Sequence, residues 1–409
     1  MRLLIIGGGG REQALGWKLK QSPQVESIYF SADLADVSQP AIIAWVKENK
    51  IDLVIVGPDQ PLAEGLVDSL EAGKIKVFGP TRAAAEIEWS KSFAKQLMFE
   101  EGIPTAKFKT FTDFNEAFKY IQEQKFPLVI KADGLALGKG VIIAQDLIEA
   151  EQALRELMKD KKYGRAGEQI VIEEYLVGQE ISIHAFCDGE TVILFPSAQD
   201  HKRIFDHDEG PNTGGMGAIT PVSWVTPKLM KEIEERIVKP TLLGLKKRGR
   251  IFKGVLYPGI MVTAEGPKVI EFNARFGDPE TQVYLPLLKT DLLEIILAAC
   301  NGQLKNLNIE WSNKSAACVV LASGGYPGKY EINLPITGLN EVEEEESLIF
   351  HAATKKVGDH FVTNGGRVLN VVGVGDNLTE ALTKAYQKVK QISFPGMHYR
   401  TDIGKKSLN

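Results

Sequence analysis

The first 88 residues alternate between short apolar runs and stretches with helical periodicity. We interpret the runs as buried strands at 3–6, 27–30, 53–56 and 76–78. Short buried strands that alternate with helices are typical of an open parallel sheet. The chain is therefore predicted to begin with an α/β domain.

With 409 residues, the chain exceeds what one hydrophobic core usually organises, so two or three domains are expected. A helix predicted from Ser90 to Glu101 begins a new unit, which places a boundary near Trp89. The predicted units are an N-terminal domain at 1–88, a second domain at 89–302 with a lid-like α+β subdomain at 109–177, and a C-terminal α+β domain at 313–409. Further strands are predicted at 128–131, 141–144, 170–173, 316–321 and 367–374, and a helix at 378–389.

The composition and net charge of the chain indicate which classes of partner it is expected to bind. Hydrophobic residues make up 44% and charged residues 25%, as in ordinary globular proteins, and the formal charge of -5 argues against a general nucleic-acid binder. No apolar run approaches the roughly 20 residues of a membrane span, and the first residues form a strand instead of a signal segment. Cys187, Cys300 and Cys318 have no metal or redox spacing and are expected to be buried, reduced thiols. We expect a cytoplasmic monomer that binds neither nucleic acid nor membranes.

One strand in the second domain carries the most informative polar residues. The segment 269–280 is interpreted as a strand on which Glu271, Asn273 and Arg275 share a face, because side chains alternate with a period of two. Carboxylate and amide oxygens suit Mg²⁺ that carries nucleotide phosphates, and a planar cation can neutralise a transferring phosphoryl group. The alternative is an exposed strand edge, but the flanking residues are too apolar for that. This face therefore indicates phosphoryl chemistry.

Four glycines, Gly7 to Gly10, directly follow the first strand. Such a backbone nest can hold a phosphate at a helix N-terminus. A dinucleotide-binding motif needs a third glycine where Glu12 stands, which makes a nicotinamide enzyme the weaker alternative. Arg11, beside the nest, is either a partner of a substrate phosphate or a surface arginine, and we favour the first.

A glycine-rich turn follows Lys131 and precedes Val141. A hairpin of this kind can close over phosphates. The pair Gly138-Lys139 superficially matches a P-loop, but the upstream glycine and the following Ser or Thr are missing, so that reading fails. A plain flexible hairpin is the alternative, although Lys131 on an apolar strand would be costly without an anionic partner.

Two further polar segments are weaker signals. The strand end Glu173 to Leu176, with Glu180 beyond it, can recognise a nucleoside, but acidic strand ends are common. The segments 199–203 and 210–218 concentrate more polar and basic groups than simple turns need. His201 within them is more often a structural residue than a catalytic one.

Together these residues resemble the ATP-grasp fold. More narrowly, the chain is similar over nearly its whole length to the glycinamide ribonucleotide synthetase family, also called phosphoribosylamine–glycine ligases. The segments that carry this similarity are 200–203, 210–218, 254–257, 271–282, 324–327 and 363–368. The resemblance implies an α/β fold with an N-terminal open parallel sheet domain, an ATP-grasp domain with a mobile lid subdomain, and a small C-terminal α+β domain.

The resemblance also implies an activity, its substrates and its site residues. The reaction is ATP-dependent ligation of glycine to 5-phosphoribosylamine through glycyl phosphate, with Mg²⁺ or Mn²⁺, in purine synthesis. Implied metal ligands are Glu271 and Asn273, and implied catalytic residues are Arg275, Asp200, Lys202 and Arg203. Implied ATP contacts are Lys91, Lys131, Gly134, Gly138, Lys139, Gly140, Glu173, Glu174, Leu176 and Glu180. Implied contacts to the other substrates are Gly9, Gly10, Arg11, Asn212, Thr213, Gly214, Asp278, Gly365, Gly366 and Arg367.

The chain departs from the family pattern at three places. Gln13 replaces the usual histidine, Asp59 replaces a glutamate, and the usual loop after the second strand is missing beyond Tyr29. The shortened loop lies on the side expected to meet phosphoribosylamine, so a raised Michaelis constant for that substrate is predicted. A ligase for another amine and a non-catalytic nucleotide-binding relative are the competing hypotheses.

Overall fold

In the computed structural model, which describes residues 1–134, 140–160, 162, 164–339 and 346–408, the chain begins with a parallel α/β layer. The four predicted strands are confirmed to within one residue at each end: β1 (Arg2–Ile6), β2 (Ser27–Phe30), β3 (Leu53–Val56) and β4 (Val77–Phe78). They form one parallel sheet in the order β2-β1-β3-β4. The helices of this layer are α1 (Gly10–Leu19), α2 (Gln39–Glu48), α3 (Asp59–Ala63), α4 (Leu66–Ala72) and α5 (Arg82–Trp89).

The segment predicted as a lid-like subdomain at 109–177 contains a four-stranded antiparallel layer at residues 108–174, which we call the lid. It follows helix α6 (Lys91–Glu100), which begins after Ser90 because that side chain accepts a hydrogen bond from the amide of Phe93. The lid consists of β5 (Phe108–Phe111), α7 (Phe114–Ile121), β6 (Leu128–Ala132), β7 (Val141–Ala144), α8 (Leu147–Leu154) and β8 (Ile170–Glu174). Its strand order is β5-β8-β6-β7, and its apolar side chains form their own core.

A long antiparallel hairpin organises the middle of the molecule. This central hairpin consists of β16 (Lys253–Thr263) and β17 (Gly266–Asn273). It is flanked by β9 (Gln179–Ser182), β10 (Ala185–Asp188) and β11 (Val192–Leu194), which pair along β16 and β10. The helices around it are α9 (Pro227–Ile233), α10 (Lys239–Lys247), α11 (Glu280–Tyr284) and α12 (Leu292–Asn301).

The C-terminal sheet draws strands from two distant parts of the chain. Its order is β12 (Gln199–Asp200), β15 (Gly217–Thr220), β18 (Ser315–Ala322), β23 (Arg367–Gly375) and β20 (Ser347–His351). Between β12 and β15 lies the hairpin of β13 (Arg203–Phe205) and β14 (Glu209–Asn212). A second small sheet contains β19 (Pro335–Ile336), β21 (Thr354–Val357) and β22 (His360–Thr363), and helix α13 (Leu378–Val389) packs on β18 and β23. The polar residues between β12 and β15 are therefore attached to the C-terminal sheet.

The cysteines are free thiols. Cys187 and Cys318 are buried, as predicted, whereas Cys300 is only half-buried, because it lies in the last turn of α12, directly before the exposed Asn301. Among the described residues, no helix is both long and apolar enough to cross a membrane.

Gly373 is required where helix α13 meets the C-terminal sheet. A Cβ atom at this position would lie 2.1 Å from the backbone oxygen of Ala381. Because backbone in a packed core cannot move aside cheaply, Gly373→Ala should destabilise the fold by about 2 kcal/mol and lower the apparent melting temperature by about 2 °C or more. The matched control is Gly259→Ala, whose new Cβ would meet only ordinary contact at 3.6 Å. Equal melting temperatures for the two variants would contradict this packing constraint.

Candidate active site

Glu271 and Asn273 lie near the end of the central hairpin, on strand β17. The prediction that this strand extends over 269–280 is wrong beyond Asn273, because the backbone bends there and helix α11 begins at Glu280. At the bend, the amide of Ala274 donates to the carboxylate of Glu88, at 2.7 Å, instead of to a neighbouring strand. The Arg275 guanidinium nevertheless returns to the same group: it donates to the Asn273 side-chain oxygen at 3.0 Å and pairs with Glu88 at 3.1 Å.

Lys202 connects Glu271 to the strand that follows the lid. Its ammonium group pairs with Glu180 and lies 3.5 Å from Glu271. Burial would raise the pKa of Glu271, but Lys202, Lys131 and Lys91 outweigh it and lower that pKa to about 2. The Glu271 carboxylate is therefore charged at neutral pH, and three lysines lie close to it.

A buried chain of charges joins the lid to the central hairpin. Glu173 is 4% exposed, and its two oxygens pair with Lys131 at 2.9 Å and Lys95 at 3.0 Å. Lys131 also donates to the carbonyl of Ile270 at 3.0 Å, directly beside Glu271. Glu173, predicted to contact the nucleoside, thus has both oxygens occupied by lysines.

Sequence reasoning missed Lys95. It is 2% exposed, and it also donates to the hydroxyl of Thr105, which in turn donates to the carbonyl of Val269. Burial lowers the pKa of Lys95 to about 8, because the nearby Glu173 only partly compensates for lost hydration. The available signal was its spacing: Lys95 lies four residues after Lys91, on the same helical face.

The remaining residues that were predicted to contact ATP lie around this chain of charges. Lys91 donates to the carbonyl of Gly134 at 3.2 Å, and burial lowers its pKa. Glu174 accepts from the amide of Lys107 at 3.0 Å, and Leu176 is half-buried. Gly140 lies at the start of the returning strand, and Gly138 and Lys139 lie outside the described residues.

Asp278 and Arg367 form the link between the central and C-terminal sheets. The guanidinium of Arg367 donates to the Asp278 carboxylate and to the Asp278 carbonyl, both at 2.9 Å. It also donates to the carbonyl of Gly214 at 2.6 Å. Burial opposes ionisation of Asp278, but Arg367 and Arg11 outweigh it and lower the pKa of that carboxyl. Three residues predicted to contact substrate, far apart in sequence, thus meet at one point.

The polar segment, residues 199–217, surrounds this point. Thr213 holds the carbonyl of Lys202 through its amide at 2.7 Å and its hydroxyl at 2.8 Å. Arg203 and Asn212 are cross-strand partners, and the guanidinium of Arg203 donates to the carbonyl of Gly210 within the same hairpin.

Asp200 lies beside a buried acid that sequence reasoning did not single out. Burial and the nearby Glu280 raise the pKa of Asp200 well above its usual value. Glu280 is 2% exposed and accepts hydrogen bonds from Ser182 at 2.9 Å and Tyr257 at 2.6 Å. Glu280 lies in a segment that carries the family resemblance, but nothing in its local spacing distinguishes it from a helix-capping glutamate.

Gly9 and Arg11 lie at the N-terminus of helix α1. Gly9 precedes helix α1, and its amide donates to Glu12 at 2.9 Å. Arg11 pairs with Glu12 at 2.6 Å and donates to the carbonyl of Phe276 at 3.2 Å.

Gly10 abuts strand β23, whereas the glycine pair 365–366, which precedes that strand, contacts Ser323. A Cβ on Gly10 would lie 2.0 Å from the side-chain nitrogen of Asn370, so the N-terminal nest abuts strand β23. The carbonyls of Gly365 and Gly366 accept from Ser323 at 2.7 and 2.8 Å.

His201 fastens the polar segment to the tail, residues 398–408. Its Nε2 accepts from the amide of Gly404 at 3.0 Å, which leaves Nδ1–H to donate to the carbonyl of Gly217 at 3.1 Å. Burial and the nearby Arg400 lower the pKa of His201 to about 4. The imidazole is thus neutral at pH 7 and has a structural role.

The central hairpin with its polar end, the lid and the lysines beneath it define the chain as an ATP-grasp protein. The biotin carboxylase domain of 2-oxoglutarate carboxylase from Hydrogenobacter thermophilus has the same fold, with a TM-score of 0.75 at 16% identity over 97% of this chain and 91% of that one. Family models match three parts of the chain: the phosphoribosylglycinamide synthetase N domain at residues 1–88, the ATP-grasp (A) domain at 89–281 and the C domain at 316–406.

The chain belongs to the phosphoribosylglycinamide synthetase family. It is 50% identical to the phosphoribosylamine–glycine ligase of Caldanaerobacter subterraneus subsp. tengcongensis, over 98% of this chain and 99% of that protein. The crystal structure of phosphoribosylamine–glycine ligase from Thermotoga maritima matches with a TM-score of 0.85 at 35% identity, over 98% of this chain and all of that one. The resemblance inferred from the sequence is therefore confirmed.

The neutral state of His201 predicts a pH dependence of stability. Its folded-state pKa of about 4 lies below the ordinary value of 6.5, so the unfolded chain takes up the proton first as the pH falls. The wild type should therefore lose up to about 3 kcal/mol through this residue between pH 6.5 and pH 4. His201→Gln does not titrate, so its melting temperature should fall less between pH 7 and pH 4.5. The exposed His360→Gln is the control and should follow the wild type; if His201→Gln does so too, the assignment is wrong.

Proposed function

We propose that this chain catalyses the ATP-dependent ligation of glycine to 5-phosphoribosylamine. The products are glycinamide ribonucleotide, ADP and phosphate, in de novo purine synthesis. The observation that carries the proposal is the cluster of Glu271, Asn273 and Arg275 facing the lysines of the lid and the polar segment. The names of the full-length relatives support the same reaction.

On the nucleotide side, we assign Lys131 of the lid and Lys91 of helix α6 to the phosphates of ATP. Lys91 donates to the carbonyl of Gly134 at 3.2 Å, and both Lys91 and Lys131 lie close enough to Glu271 to lower its pKa. We assign Glu173 to holding Lys131 and Lys95 in place, because its carboxylate is buried between them. We therefore assign the contacts to the nucleoside to the neighbouring residues Glu174, Leu176 and Glu180.

The residues present fit a divalent metal ion carried by the nucleotide. Glu271 supplies a charged carboxylate and Asn273 an amide oxygen, and Mg²⁺ or Mn²⁺ in such sites takes its other ligands from phosphates and water. The metal, when bound, neutralises phosphate charge. Arg275, already held by Asn273 and Glu88, is oriented to bind the acyl phosphate with its planar fork.

Catalysis by this site consists of positioning and charge neutralisation. The glycine carboxylate attacks the γ-phosphate of ATP to give glycyl phosphate, and the amine of phosphoribosylamine then displaces phosphate. Asp200, Lys202 and Arg203 are assigned to the reacting groups, since Lys202 lies within 3.5 Å of Glu271. Closure of the lid would keep water from the acyl phosphate.

We assign the phosphoribosylamine side to the start of helix α1, the polar segment and the residues around the start of strand β23. Its members are Gly9, Gly10, Arg11, Asn212, Thr213, Gly214, Asp278, Gly365, Gly366 and Arg367. The support is the link formed by Arg367, which joins Asp278 to Gly214. We further infer a cytoplasmic monomer with domains at 1–88, 89–302 and 313–409.

Measurement of ADP release tests the proposed function. Purified protein with ATP and Mg²⁺ should release ADP when glycine and phosphoribosylamine are both present, with a raised Michaelis constant for phosphoribosylamine because the loop beyond Tyr29 is missing. Release with glycine and another amine, but not with phosphoribosylamine, would establish a ligase of different specificity. Nucleotide binding without any ADP release would establish a non-catalytic relative.

The carboxylate of Glu271 should be essential. Glu271→Gln keeps the size of the side chain and one oxygen but removes the charge, so we expect kcat to fall by about 100-fold or more with an unchanged melting temperature. The matched control is Glu265→Gln, which alters an exposed carboxylate at the turn of the same hairpin. Near-normal turnover of Glu271→Gln at limiting Mg²⁺ would rule out the metal assignment.

A further inference from the structure

Gly214 is exposed, yet both of its backbone polar groups bind side chains from the C-terminal sheet region. Its amide donates to the hydroxyl of Tyr326 at 3.0 Å, and its carbonyl accepts from Arg367 at 2.6 Å. An exposed glycine in a turn would ordinarily be solvated and variable in conformation. These two contacts fix the orientation of the two peptide units on either side of the Gly214 α-carbon, within the polar segment.

Tyr326 is itself held firmly. Its ring packs with Ile204, Met216 and Ala322. On another side it lies against Gly366, where a Cβ atom would be 2.3 Å from the ring. Rotation of the ring away from Gly214 would therefore leave a cavity in this cluster. The hydroxyl is a fixed acceptor at the edge of the candidate phosphoribosylamine site.

The segment beyond Gly214 has no room to absorb a displacement. A Cβ atom on Gly215 would lie 2.4 Å from Pro279 and 2.7 Å from the carboxylate of Asp200. On the other side, Thr213 binds the carbonyl of Lys202 through two hydrogen bonds, and its hydroxyl also accepts from the amide of Gly215 at 3.0 Å. A shift of the Gly214 peptide would therefore be transmitted to Lys202 and Asp200.

We propose that Tyr326 is a positioning residue for the amine substrate. Its hydroxyl fixes the position of the Gly214 amide. Through Gly214, this contact keeps Arg367 paired with Asp278. It also keeps Thr213 where it holds Lys202 near Glu271. This role rests on the proposed function, because it assigns the segment 212–214 to phosphoribosylamine. The alternative is that Tyr326 serves only to fill the small apolar cluster, a role that the ring performs without its hydroxyl.

Tyr326→Phe separates the two roles because it keeps the ring and removes only the hydroxyl. Loss of one hydrogen bond of about 1 kcal/mol should raise the Michaelis constant for phosphoribosylamine about 5-fold. The constant for ATP should change less than 2-fold, since the lid contacts are untouched. Amide hydrogen exchange in the peptide that contains residues 212–216 should accelerate by a similar factor of about 5.

The matched control is Tyr330→Phe. Tyr330 is 41% exposed, and its ring centre lies 6.3 Å from that of Tyr326. It should match the wild type in both measurements. Wild-type exchange and wild-type constants in Tyr326→Phe would overturn the proposal, as would faster exchange with an unchanged constant for phosphoribosylamine. If the wild type itself does not use phosphoribosylamine, the proposed function fails and this assignment falls with it, a result distinct from both.

Discussion

The pairing of β15 with β18 determines where the candidate site forms. Strand β15 leaves the central part of the chain and pairs antiparallel with β18, with Gly217 opposite Val319 and Thr220 opposite Ala316. All eight residues of β18 are buried, so its register is fixed by packing on both faces. Because β12 and β15 bracket the polar segment, this one pairing brings Asp200 and Lys202 to the end of the central hairpin.

Three cations of the site are each paired with a carboxylate before any substrate is bound. Lys131 pairs with Glu173, Lys202 with Glu180, and Arg275 with Glu88. Such pairs cost desolvation, and they contribute little stability compared with apolar packing. Their value is geometric, since each pair fixes the position of its cation, and under the proposed function a cation fixed in advance can stabilise charge that develops on a substrate.

Much of the fold follows from periodicity in the sequence. The strands of the N-terminal layer and helix α13 lie where the sequence predicted them. Burial of one or both faces imposes a periodicity on the apolar side chains, and this periodicity can be recognised in the sequence alone. The partner of β15 does not follow from periodicity, since alternation defines the faces of a strand but not the strand beside it. The bend at Ala274 likewise depends on Glu88, which is distant in sequence. The spacing of Lys95 from Lys91 indicates only a shared helical face, and the burial of Lys95 becomes evident only when its partner, Glu173, is seen beside it.

The attachment of the lid has a consequence for the energetics of opening. The apolar core of the lid lies entirely within residues 111–172, whereas its junction with the central hairpin includes Lys95, Glu173 and Lys131. Separating two apolar faces exposes hydrocarbon to water, with a penalty that grows with area. Separating these charged groups from the backbone of β17 instead allows water to hydrate ions that lose their hydration when they are buried. Hydration of the ammonium and carboxylate groups would thus offset part of the free energy lost when the ion pairs separate. Water therefore lowers the free-energy cost of opening at this junction.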